Sequence, residues 1–182
     1  MEQRELAKLG ILGVLAETES ATIESVHKLL THNFGRYWGA STGILVPTMN
    51  QLKTDGYVEQ VSVDGSDVAY RMTDPGRDHL QSLLTATIED VSDPSSRPVL
   101  MIKLGYLHHL SVSAQREEIQ QLKDQLRSER ENVRSLQDLH ATEIDDRDAS
   151  GYRRELYDLR IRIIDALLEW LATVEPPRIS EH

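Results

Sequence analysis

The stretch from Tyr37 to Glu59 constrains the fold more than any other, because at its end the apolar pattern switches from a helical period to the strand period of the residues that follow. It opens with the small or cap-forming residues Gly39, Ala40, Ser41 and Thr42, places Leu45, Met49 and Leu52 on one side, and stops at Asp55-Gly56. Glycine there can take the left-handed turn that ends a helix. Tyr57, Val58, Val61 and Val63 follow, then the turn candidate Asp64-Gly65, then Val68, Tyr70 and Met72, an alternation that predicts a β-hairpin. Pro47 lacks a backbone donor and fits only the first turns, so the helix should begin nearer Thr42 or Gly43 than Tyr37.

Two helices precede this stretch. Residues 4 to 17 put Leu6, Leu9, Ile11, Leu12, Val14 and Leu15 on a wide apolar face, and after polar turn material Thr22 can cap a second helix with Ile23, Val26, Leu29 and Leu30 inward. Phe34 and Trp38 are expected to fill the space between the second and third helices. Three helices running into a hairpin is the order of a winged helix-turn-helix. A fourth helix should start at Thr73 as cap, with Asp74 at the positive end of its dipole and Leu80, Leu83, Leu84 and Ile88 inward. DVSDPSSRP, Asp90 to Pro98, has linker composition.

Beyond it, VLMIKLGYLHHL and the apolar positions Ile119, Leu122, Leu126, Val133 and Leu136 read as one helix of roughly 40 residues from Val99, interrupted at Glu129 where a core residue is due. DDRDASG breaks it. A last helix repeats Tyr152, Leu156, Leu159, Ile163, Ala166 and Trp170, adds Ile161, Ile164, Leu167 and Leu168, and ends before Pro176-Pro177. Apolar residues on more than one side predict that one face folds back on the long helix while the rest meets a second chain. The two-fold dimer is the default solution. Leu104, Leu107, Ile119, Leu122, Leu126, Leu156, Leu159, Ile163, Leu167 and Trp170 are the candidate dimerisation residues.

Gly43-Ile44-Leu45-Val46-Pro47, Leu52, Asp55-Gly56-Tyr57-Val58-Glu59 and Tyr70-Arg71-Met72-Thr73 with Gly76 resemble the signature of the PadR family of transcriptional regulators. The resemblance implies a winged helix followed by helices that make a homodimer, a repressor function, and a small aromatic effector bound in the dimer region, with Trp170 and Tyr106 as its candidates. The chain departs from the family at Val46, where a Tyr is common, and at the wing tip, Asp64-Gly65-Ser66-Asp67, where the family is often basic.

On the central helix, Thr42, Val46, Asn50 and Lys53 lie opposite the Leu45, Met49, Leu52 stripe, with Gln51 at its margin. Asn and Gln can offer a paired donor and acceptor to adenine, Thr and Val can touch a thymine methyl, and Lys53 can meet phosphate. Ser41, Arg36 and Arg71 complete the candidate DNA-binding set, and Arg77 is a further cation near the phosphates.

Charge cuts against this reading. The net charge is -10, and residues 1–90 carry 7 basic against 13 acidic side chains, net -6, while the remainder carries 13 against 17, net -4. Two explanations stay open: a surface adapted to a high-salt cytoplasm, in keeping with only five Lys among 20 basic residues, or a winged helix that binds protein instead of DNA. Enzyme chemistry has little support: cysteine is absent, no HExxH, GxGxxG or Walker motif occurs, and the neighbours His108 and His109 should point apart on a helix. His27 and His32, five apart, are a poor metal pair. The acidic run Glu143, Asp145, Asp146 and Asp148 reads as a solvated turn, so no metal and no cofactor are expected. Val99 to Leu110 is too short and too interrupted to cross a bilayer, and MEQRELAKLG is too polar for a signal peptide; a cytoplasmic location is expected.

The sequence therefore predicts a mainly α protein with one small β-hairpin: a winged helix-turn-helix over 1–90, a linker over 91–98, and a helical, partly coiled-coil dimerisation region over 99–182. Its expected function is that of a homodimeric, sequence-specific DNA-binding regulator reading a pseudo-palindrome with the helix around Ser41 to Lys53. The alternative is a winged-helix module that binds a protein partner.

Overall fold

The computed structural model describes residues 3–35, 42–62, 68–88, 90–91, 93–143 and 151–174. These divide into two compact units, residues 1–89 with 95–111, and residues 90–94 with 112–182.

In the first unit, α1 (Gln3–Glu17), α2 (Ile23–Phe34) and α3 (Thr42–Thr54) precede an antiparallel hairpin of β1 (Val58–Ser62) and β2 (Val68–Met72), paired Val58 to Met72 through Ser62 to Val68. α4 (Asp74–Thr85) follows. α1 is the hub: it packs against α2, α3, α4 and β2, and Leu9, Ile11 and Leu12 are fully buried. Local chemistry sets the ends as expected. Thr22 caps α2 by accepting from the Ser25 amide, Thr73 caps α4 by accepting from the Gly76 amide, and Gly56 takes a φ of +78° after α3.

Tertiary pairing adds what the pattern does not show. Ala21, read as part of a polar turn, exchanges two backbone hydrogen bonds with Tyr70, at 2.9 and 3.0 Å, and so supplies a one-residue third strand to the wing. His79 on α4 stacks on Tyr57, ring centroids 4.2 Å apart. Burial first, and the Lys8 ammonium second, hold its pKa below the ordinary 6.5. The unfolded chain then takes up the proton first on acidification, so the His79 contribution is fully present above pH 6.5 and is lost as the pH falls below it. Urea titrations at steps from pH 8 to pH 5 should show a fall in stability toward pH 5 that is shallower in His79→Gln.

Two findings correct expectations for the region after the linker. The helix expected to run unbroken from Val99 is two helices. α5 (Arg97–Tyr106) gives way to a 3-10 turn, Leu107–His109, and Leu110 is extended, with ψ of 158°, before α6 begins at Val112. α5 belongs to the first unit and packs on α1, where the Tyr106 ring fills the space beside Gly13. Phe34, expected between α2 and α3, has its ring edge-on to Tyr106 at 5.4 Å and beside Gly105. Trp38 lies outside the described residues. Lys103, which interrupts the apolar run in sequence, is 1% exposed because its Nζ donates to the Ala86 carbonyl at 2.7 Å.

The second unit is an antiparallel pair, α6 (Val112–Glu143) and α7 (Gly151–Thr173). Ile119, Leu122, Leu126 and Val133 of α6 and Ile164 and Leu171 of α7 are buried. Glu129 stands at an apolar position because it accepts from Arg160 across the pair at 3.0 Å, next to an Arg130 to Asp165 bridge of the same length. No helix among the described residues is long and apolar enough to cross a membrane.

Candidate nucleic-acid interface

α3 turns one face to the core of the first unit and the other to solvent. Leu45, Met49 and Leu52 are buried against α1 and α2, which fixes the helix about its axis. The opposite side is then exposed by geometry: Gly43, Val46, Pro47, Asn50, Gln51, Lys53 and Thr54. Val46 is 48% exposed, unusual for an apolar side chain on a helix with a buried face of its own. No acidic residue occurs from Thr42 to Thr54, in a chain that carries 30 of them.

Each candidate can now be placed. Val46, Asn50 and Lys53 share the outward stripe, and the Asn50 amide has no side-chain partner among the described residues. Gln51 donates to Asp55 at 2.7 Å, and the Lys53 ammonium donates to Gln60 on β1 at 2.8 Å, which ties the end of α3 to the wing while leaving the positive charge uncancelled. Arg71 differs: its Nε and Nη2 both donate to one oxygen of Glu59, its register partner on β1, at 2.9 and 2.7 Å. Such an exposed pair is worth about 0–1 kcal/mol, so a phosphate can compete for the guanidinium. Arg77 is exposed on α4. Arg36, Ser41 and the wing tip Asp64 to Asp67 lie outside the described residues, as does the side chain of Thr42. The two cross-links, Lys53 to Gln60 and Arg71 to Glu59, had no signal in the sequence beyond the complementary types.

A family model described as "Putative AphA-like transcriptional regulator" matches residues 1–175. The chain belongs to this AphA-like family of regulators. Its resemblance to PadR regulators and this membership agree on one class, a winged-helix transcriptional regulator. Among solved structures, the AphA-like chain is similar to Bacillus subtilis PadR in complex with operator DNA, at 16% identity, with 91% of this chain and 95% of that one covered and a TM-score of 0.41. It is also similar to the same PadR in complex with p-coumaric acid, at 14% identity, 95% of each chain and 0.40. The PadR-like regulator BC1756 from Bacillus cereus stands at 17% identity, 94% of each chain and 0.40. No curated protein matches.

The candidate dimerisation residues fall into two groups. Leu107, Ile119, Leu122 and Leu126 are buried within the chain, and Leu104, Ile163 and Leu167 are half-buried. Leu156, Leu159 and Trp170 are exposed, as are Tyr152 on α7 and Leu139 on α6. Of the two effector candidates, Tyr106 is shut in beside Gly13 and Phe34, whereas Trp170 is 47% exposed.

Proposed function

We propose that this AphA-like regulator is a homodimeric repressor that reads a pseudo-palindromic DNA site with α3. The observation that carries the reading is the acid-free outward stripe of α3, where Val46, Lys53 and an Asn50 amide with no side-chain partner among the described residues stand together on an otherwise acidic chain. Asn50 is suited to the N6 and N7 edge of adenine, Val46 to a thymine methyl and Lys53 to phosphate, which favours A·T-rich half-sites. Thr42 and Ser41 are assigned to the start of the same face, Gln51 to its margin, and Arg36 and Arg71 to phosphates.

Dimerisation is assigned to the α7 stripe Tyr152, Leu156, Leu159 and Trp170. With Leu139 on α6, five large apolar side chains are exposed on a two-helix unit, more than a solvated surface normally carries, and a two-fold partner covers the α7 stripe with the same stripe of its own. Ile119, Leu122, Leu126, Ile163 and Leu167 of the same helix pair, and Leu104 and Leu107 of the first unit, complete the residues assigned to dimerisation. A small aromatic effector is assigned to the neighbourhood of Trp170, where packing between copies sets the separation of the two reading helices.

Sequences selected from random duplexes test the reading. Asn50→Ala should relax preference at one base pair per half-site, by about 1–3 kcal/mol of discrimination. Lys53→Ala should weaken all sequences alike and reduce the slope of log affinity against log salt by roughly one. A protein-binding module is favoured instead by the cancelled charge of Arg71, and recovery of no preferred sequence at any salt concentration would support it.

A further inference from the structure

The end of α1 and the turn after α5 meet in the first unit at a cluster that plays no part in DNA reading. Glu17 closes α1, and His108 and His109 form the 3-10 turn. Adjacent histidines would diverge on an α-helix, but here their rings lie 4.1 Å apart and both face α1. Their Nε2 atoms stand 3.3 and 3.9 Å from the same oxygen of Glu17, and one ligating atom from each of the three residues falls within 4.8 Å of the others.

Those spacings are those of a chelate. Around a tetrahedral zinc ion with bonds of about 2.1 Å, donor atoms sit about 3.4 Å apart, so small side-chain rotations bring all three onto one centre. The Nε2 atom of His109 is buried and has no hydrogen-bond partner among the described residues, a cost that a ligand would remove. Two imidazoles and a carboxylate select zinc and its neighbours over magnesium or calcium, which prefer oxygen donors throughout.

We propose that Glu17, His108 and His109 bind one divalent transition-metal ion of the zinc class, with water in the fourth position. The ion pins the C-terminal end of α1 to the turn after α5. Glu17 is remote in sequence from the two histidines, so the unfolded chain lacks the complete donor set, and binding stabilises the folded state.

Calorimetric titration of the full chain, stripped with chelator and then offered ZnCl2 or MgCl2, tests this. One zinc per chain should bind, with a raised thermal midpoint, and magnesium should give neither. Glu17→Gln, and separately the pair His108→Gln with His109→Gln, should weaken zinc binding by at least about tenfold with unchanged circular dichroism, whereas His27→Gln with His32→Gln on α2 should leave it intact. Failure to bind zinc, or binding that survives both the Glu17 and the paired histidine changes, would overturn the proposal. DNA binding enters neither readout.

Discussion

With Leu156→Glu and Leu159→Glu together, the protein is expected to run as a monomer in light scattering and to lose about a hundredfold or more in affinity for the DNA that the unaltered chain selects. Leu156 and Leu159 are half or more exposed in the single chain, so two carboxylates there can stay in water without entering its core. In the proposed dimer they would face their own copies across the two-fold axis, burying like charges without partners. The DNA penalty follows from linkage of two reading heads: once one α3 is seated, the second finds its half-site at high effective concentration, and a monomer forfeits that gain of about 10²–10⁴. Circular dichroism should be unchanged.

A second large effect is expected on stability. Gly76 lies in the first turn of α4, and a Cβ there would run into the backbone carbonyl of Tyr57, which also accepts from the Thr73 amide at 3.1 Å. A backbone atom cannot swing aside as a side chain can. Gly76→Val should therefore push α4 off the root of the hairpin and cost about 3 kcal/mol, a fall of roughly 6–12 °C in melting temperature for a chain of this size. Gly56→Ala, strained by its φ of +78° but with open space around it, should cost about 1 kcal/mol. Differential scanning calorimetry on the two variants would separate a collision from a conformational cost.

Why some features were legible in the chain and others were not comes down to the distance between the interacting residues. Thr22, Thr73 and Gly56 act on amides or dihedrals within three residues, and the Leu45, Met49, Leu52 stripe needs only helical spacing, so these were readable. Glu129 looked like a fault in a heptad because its partner, Arg160, lies 31 residues away on α7. Lys103 looked like an interruption because the carbonyl it satisfies belongs to Ala86. The break between α5 and α6 carries no proline or glycine; Leu110 turns extended while the turn before it draws His108 and His109 toward Glu17, and apolar periodicity runs straight through such a change. Ala21 joins the wing through two backbone bonds, to which its side chain contributes nothing readable.

For the proposed interface the same logic applies in part. Spacing alone put Val46, Asn50 and Lys53 on one outward stripe, and the fold exposes all three. The pairing of Arg71 with Glu59 depends on hairpin register, which the alternation of residues did not fix to one position.

Hydroxyl-radical footprinting of the selected duplex tests the central claim most directly. Two copies clasped through α7, each presenting α3, should protect two symmetric half-sites with centres about one helical turn, 34–36 Å, apart, at a stoichiometry of two chains per duplex. A single protected half-site at one chain per duplex, or half-sites whose centres lie on opposite faces of the DNA, would contradict it.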